Sequence, residues 1–193
     1  MKTVKVLVAA SMAAALLAGC GSKTDTDTFR FASELDIQGM DSAVVDDGMS
    51  FNAIHAITDG LTAVNEKGKT APAIAKSWDV SDDGKTYTFH LRDAKWTNGD
   101  KVTANDFVYS WRKIIKDAGN YAYMLGNGGA SVKNADALME LGANATDEQM
   151  ATLGVTAKDD KTLVVELENK VPYFTDLMAF PCYFPQNEKF VEK

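Results

Sequence analysis

Between residues 76 and 115 the spacing of the apolar residues changes from two to 3.6, and that change restricts the fold more than any other feature. In "AKSWDVSDDGKTYTFHLR", Tyr87, Phe89 and Leu91 recur at every second position. The alternation predicts a strand with one buried face, because successive strand side chains point to opposite sides. Lys76 to Val80 reads as its hairpin partner, and "SDDGK" as the turn. Asp-Gly suits such a turn because glycine reaches positive φ without a Cβ clash. A second tight turn, "TNGDK", leads to Thr103 and Asp106, which resemble a capping box with Asp in place of Glu. Phe107, Val108, Trp111, Ile114 and Ile115 then form one apolar stripe at helical spacing. Trp111 lies inside that stripe, and Trp96 precedes the turn where it can pack on the same helix. Both tryptophans are therefore expected in the core rather than in a ligand site.

Other segments follow the same logic. "TFRFASEL" alternates Phe29 and Phe31 with polar residues and predicts a half-buried strand. "MDSAVVDDGMS" reads as a loop with a short apolar centre at Val44 and Val45. Phe51, Ile54 and Ile57 fall at helical spacing, and Gly60 is able to end that helix. "NADALMELGANATDEQMATLG" reads as two short helices, and "TAKDDKTLVVELE" as a strand with Leu163, Val165 and Leu167 on one face, entered from a polar turn. "VPYFTDLMAFPCYFP" is an aromatic segment broken by prolines, and "EKFVEK" opens a helix.

Few chemistries fit this chain. Its formal net charge is −7, and no basic run offers a face for nucleic acid. Asp79, Ser81, Asp83 and Gly84 match half of a calcium loop, but His90 stands where a bidentate Glu is needed, so no metal is expected there. His55 has no second histidine or cysteine at ligand spacing and is read as structural. The carboxylate pairs Asp46–Asp47 and Asp82–Asp83 are adjacent, and adjacent residues on an extended chain face opposite ways. No nucleophilic triad is evident, so no catalysis and no cofactor are expected. Cys182 sits in an apolar run and reads as a small buried hydrophobe.

The N-terminus has a separate logic. Lys2 and Lys5 precede an apolar run from Val6 to Ala18, too short for a spanning helix of roughly 20 residues. Residues 1–19 read as a signal peptide. Leu17-Ala18-Gly19-Cys20 resembles the lipobox of bacterial lipoproteins. That resemblance implies a diacylglyceryl group on the Cys20 thiol and cleavage just before it. Losing Lys2 and Lys5 would take the charge from −7 to −9 (−7 − 2). Residues 20–27, "CGSKTDTD", would be a lipidated cysteine and flexible tether.

The block from Asp59 to Lys113, "DGLTAVNEKGKTAPAIAKSWDVSDDGKTYTFHLRDAKWTNGDKVTANDFVYSWRK", resembles the oligopeptide-binding proteins of bacterial ABC importers. A second block, Leu153 to Phe174, resembles them too. The resemblance implies an α/β, periplasmic-binding-protein-like fold of type II, in the large peptide-binding class. It implies that this is an N-terminal portion: 28–58 the first segment of lobe I, 59–187 a small second domain, and 188–193 the start of a return into lobe I. The implied function is capture of oligopeptides at the extracytoplasmic face of the cell membrane. The implied partners are ABC permease subunits and the membrane, through the lipid, with the protein a monomer. Asp46, Asp47 and Gly48 fall where family backbones pair with the peptide main chain, after Met40-Asp41-Ser42, in which Ser replaces a usual Pro. Tyr121 falls where a family tyrosine lines the cleft. The alternatives are another solute on the same fold (nickel, haem, an oligosaccharide) or a surface adhesin.

Overall fold

The hairpin and helix expected from periodicity are both present. The computed structural model describes Thr28 and residues 31–193. The signal segment, Cys20 and Phe29 lie outside the described residues. Leu35 to Lys193 form one compact unit; the other unit, Met1–Glu34, is described only at its end.

Strands β1 (Thr62–Val64) and β2 (Thr70–Pro72) make a small antiparallel hairpin. Its turn is closed by Asn65, whose Oδ1 accepts from the Lys67 and Lys69 N–H groups at 2.9 and 3.1 Å. Strands β3 (Ala75–Val80), β4 (Thr86–Leu91), β5 (Val155–Asp159) and β6 (Thr162–Glu166) form an antiparallel sheet in the order β3–β4–β6–β5. Tyr87, Phe89, Leu91, Leu163 and Val165 bury one face of it. The β3–β4 turn holds Gly84 at φ +70°, the left-handed conformation that Asp-Gly predicts.

Helix α1 spans Gly48–Ile57 and helix α2 Ala104–Lys116. At the start of α2 the Asp106 carboxylate accepts from the Thr103 N–H at 2.7 Å and its hydroxyl at 3.1 Å. Every residue of the predicted stripe is buried, and α2 packs on β5 and β6. Trp111 is 0% exposed and donates from Nε1 to the Tyr183 carbonyl at 3.0 Å. Helices α3 (Ala135–Leu141) and α4 (Asp147–Met150) follow, then α5 (Phe174–Leu177) and α6 (Glu188–Val191). A smaller cluster of Val45, Phe51, Ile54 and Phe184 lies under α1.

Two expectations fail. Residues 31–34 are not a strand. Alternation shows which side chains could share a face but does not supply the neighbouring ladder that a strand requires. "TAKDDKTLVVELE" is not one strand but two, because the chain turns at Asp160 and Lys161 and pairs edge strand β5 antiparallel with β6. Only Val155 is fully buried there, so the strand is defined by its pairing with β6 rather than by its own pattern. Among the described residues no helix is long and apolar enough to cross a membrane.

Candidate functional site

The site is built outward from Asp41. Its side-chain Oδ1 accepts from the Ala43 N–H at 2.9 Å, and its carbonyl from the Val44 and Val45 N–H groups at 3.1 Å, which closes the turn after Met40. Lys113 Nζ reaches Asp41 Oδ2 at 3.1 Å, and Gln186 Nε2 reaches Oδ1 at 2.8 Å. Segment 40–45 is thereby tied to α2 and to the chain after Phe184. Partial burial pushes the Asp41 carboxyl up, but the Ala43, Lys113 and Gln186 hydrogen bonds outweigh it and hold the group below its ordinary value.

The turn delivers residues 46–48 to the start of α1. Asp47 is the helix cap: its backbone is extended (φ −102°, ψ 148°) and its Oδ1 accepts from the Ser50 N–H at 2.8 Å. Hydrogen bonds from the Ser50 side chain and N–H hold its carboxyl below the ordinary value. Gly48 is the first helical residue, so the extended main chain ends at Asp47 rather than running through Gly48. Asp46 is exposed, and its Oδ2 accepts from Asn120 Nδ2 at 2.9 Å. The same amide reaches the Val44 carbonyl at 3.4 Å.

That contact brings Asp46 beside the neighbour of Tyr121. Tyr121 is half-buried and sits edge-on to Phe51 at 5.3 Å and against Phe180 at 5.3 Å. Phe51 and Phe180 complete a triangle at 5.2 Å. Thus α1, the 120–124 turn and the Phe180 segment share one aromatic junction, and Tyr121 joins the main core to the small cluster under α1.

A second feature was not legible in the sequence. A cavity of about 620 Å³ opens between α1, the Trp96 turn and α6. Met40, Ile54, Ile57, Trp96, Phe184 and Phe190 give it apolar walls. Trp96 therefore packs on the core with one side and faces this cavity with the other, unlike the fully interior Trp111. Exposed Ile57 and Phe190 could have signalled it, but each reads in isolation as the unremarkable end of a helix.

His55 packs edge-on against Phe184 at 5.2 Å, and burial lowers its pKa, as befits a structural histidine. Cys182 is buried, which pushes its thiol well above the ordinary range. Among the described residues no group of three or more His, Cys, Asp or Glu is placed to hold a metal.

Residues 69–193 match the model of the bacterial extracellular solute-binding proteins, family 5, middle region. The chain belongs to this family. A dipeptide-binding protein of Lactococcus lactis is 38% identical over 200 residues, covering 100% of this chain and 35% of that protein. The oligopeptide-binding protein OppA of Bacillus subtilis is 42% identical over 78% of this chain and 26% of its own length. Among solved structures, the substrate-binding domain of an oligopeptide ABC transporter from Bacillus anthracis superposes with a TM-score of 0.76. It is 41% identical and covers 84% of this chain and 30% of that one. OppA of Haemophilus influenzae, solved with the peptide RPPGFSPFR, gives a TM-score of 0.73 at 38% identity, over 80% of this chain and 29% of that one. The fold class is accordingly α/β, of the type II periplasmic-binding-protein kind. This family 5 chain spans about a third or less of the length of these relatives.

Proposed function

We propose that this chain is part of an extracytoplasmic receptor that captures oligopeptides and hands them to the permease of an ABC importer. The observation that carries this reading is its 38–42% identity to proteins named for dipeptides and oligopeptides. The geometry is compatible with it. Asp46, next to the extended backbone of Asp47, is held by Asn120, the neighbour of Tyr121, although 74 residues separate Asp46 from Asn120. Main-chain pairing through N–H and C=O groups would accept any peptide sequence. Gly48, inside α1, would border that edge rather than extend it.

In this reading residues 28–58 open lobe I, 59–187 form the second domain, and 188–193 return toward lobe I. Cys20 carries the lipid that holds the protein, as a monomer, at the outer face of the membrane. The role is binding without catalysis. A different solute has one specific support: a relative of Escherichia coli, 36% identical over 160 residues, is named as a probable deoxycholate-binding protein.

The test is a thermal-shift panel on this chain with tripeptides, nickel, haem, an oligosaccharide and deoxycholate, followed by titration of any stabilising compound. Weak but peptide-specific stabilisation is expected. Stabilisation by one of the others with none by peptides would overturn the reading.

A further inference from the structure

Helix α2 ends in a way that helix termination alone does not explain. The Ala118 N–H donates to the Ile115 carbonyl at 3.1 Å and the Gly119 N–H to the Ile114 carbonyl at 2.9 Å, the paired bonds that close a helix C-terminus. This closure puts Ala118 in the left-handed region, at φ +49°. Glycine takes that conformation without a Cβ clash, yet the glycine stands one place later, at 119, where φ is not positive. Gly119 therefore serves something other than the helix end.

What it meets is the chain that leads into α1. A Cβ on Gly119 would overlap the Ala43 carbonyl oxygen and lie 2.8 Å from Ile114 Cγ1, so no side chain fits between Gly119 and the Ala43 backbone. The next residue adds hydrogen bonds: Asn120 Nδ2 donates to Asp46 Oδ2 at 2.9 Å and reaches the Val44 carbonyl at 3.4 Å. Lys113, one turn before the helix end, holds Asp41 Oδ2 at 3.1 Å. Residues 113, 119 and 120 thus clasp segment 41–46 at three points. The turn that makes the clasp also carries Tyr121. The Ala122 N–H donates to the Gly119 carbonyl at 2.8 Å, which leaves Asn120 and Tyr121 as the two central residues of that turn. Whatever seats Gly119 and Asn120 on segment 43–46 also sets Tyr121 relative to Asp46 and Asp47.

We propose that Gly119 and Asn120 are positioning residues of the peptide edge: they seat segment 43–46 on the end of α2 and fix its register against Tyr121. This rests on the peptide-capture reading and goes beyond it, since neither residue has to touch the ligand.

The test combines amide hydrogen exchange with titration of trialanine into the 193-residue chain and its Asn120→Ala and Gly119→Ala variants. Asn120 is exposed, so Asn120→Ala opens no cavity and should melt within a few degrees of the parent. In this variant the Val44 and Val45 amides, which donate to the Asp41 carbonyl, should exchange faster, while the Trp111 amide inside α2 keeps its parent rate. Trialanine should bind about two- to tenfold more weakly, the worth of about one hydrogen bond. Gly119→Ala should weaken binding further, because its Cβ must push the Ala43 backbone away. Parent affinity in both variants, or unchanged exchange at Val44 and Val45 in Asn120→Ala, overturns the positioning role and leaves peptide capture standing. An equal rise in exchange at Trp111 shows a general loss of stability and also overturns it. A parent chain that binds no trialanine overturns the capture reading and the positioning role together.

Discussion

Replacing Trp111 by phenylalanine isolates what the most buried aromatic of α2 contributes. Trp111 is 0% exposed, packs edge-on to Tyr183 at 5.6 Å, and donates to the Tyr183 carbonyl at 3.0 Å. Phenylalanine keeps most of the ring but leaves that carbonyl without its donor, at a cost of about 1–3 kcal/mol. It also vacates roughly 40 Å³, which at about 24 cal/mol per Å³ adds about 1 kcal/mol. The sum is about 2–4 kcal/mol, or a fall in melting temperature of roughly 4–16 °C for a chain of this size. Alanine would cost about 3–5 kcal/mol for the side chain alone, a large part of the total of about 5–15 kcal/mol that domains possess. Phenylalanine is thus the more informative variant. Circular dichroism melts and urea titrations measure the loss, and peptide titration of the folded variant measures the site. An unchanged melting temperature together with a large loss of peptide binding would refute the assignment of Trp111 to the core.

Three further outcomes are expected. Asp47→Ala removes the cap of α1 and should cost about 1 kcal/mol in urea unfolding; no loss would mean that the Ser50 contact is idle. Asp41 has a depressed folded pKa, so its contribution is complete above the ordinary aspartate value of 3.8 and is lost as pH falls through the lower folded value. Stability measured against pH should therefore fall less steeply below that value in Asp41→Asn than in the parent, and parallel curves would contradict the linkage. Cys20→Ala should abolish incorporation of a fatty-acid analogue in cells, and equal labelling of the variant would remove the lipid anchor from the account.

What the sequence made legible was what depends on neighbours along the chain. Tyr87, Phe89 and Leu91 point inward because a strand alternates, and Phe107 to Ile115 point inward because a helix repeats. Gly84 and the Thr103–Asp106 cap are equally local. Breaks within an element and contacts with a distant partner were hidden. The turn at Asp160 and Lys161 that divides "TAKDDKTLVVELE" into β5 and β6 was not read as a break. Asp47 and Gly48 looked like parts of one extended edge, but the Ser50 contact turns the chain into α1 between them. Asp46 meets Asn120 across 74 residues, and Tyr121 meets Phe51 and Phe180 from a separate turn; no local pattern announces either. The apolar cavity beside Trp96 is likewise assembled from residues as far apart as Met40 and Val191.

The central claim is that peptide is held at the edge formed by Asp46, Asp47 and Tyr121. It is tested most directly by mapping amide chemical-shift changes in the isotope-labelled chain during titration with a neutral tripeptide. The account predicts saturable shifts concentrated at residues 44–48 and 120–123, with Trp96 and Phe190 unmoved. Shifts concentrated around Trp96, Phe184 and Phe190 would contradict it and place the ligand in the apolar cavity instead.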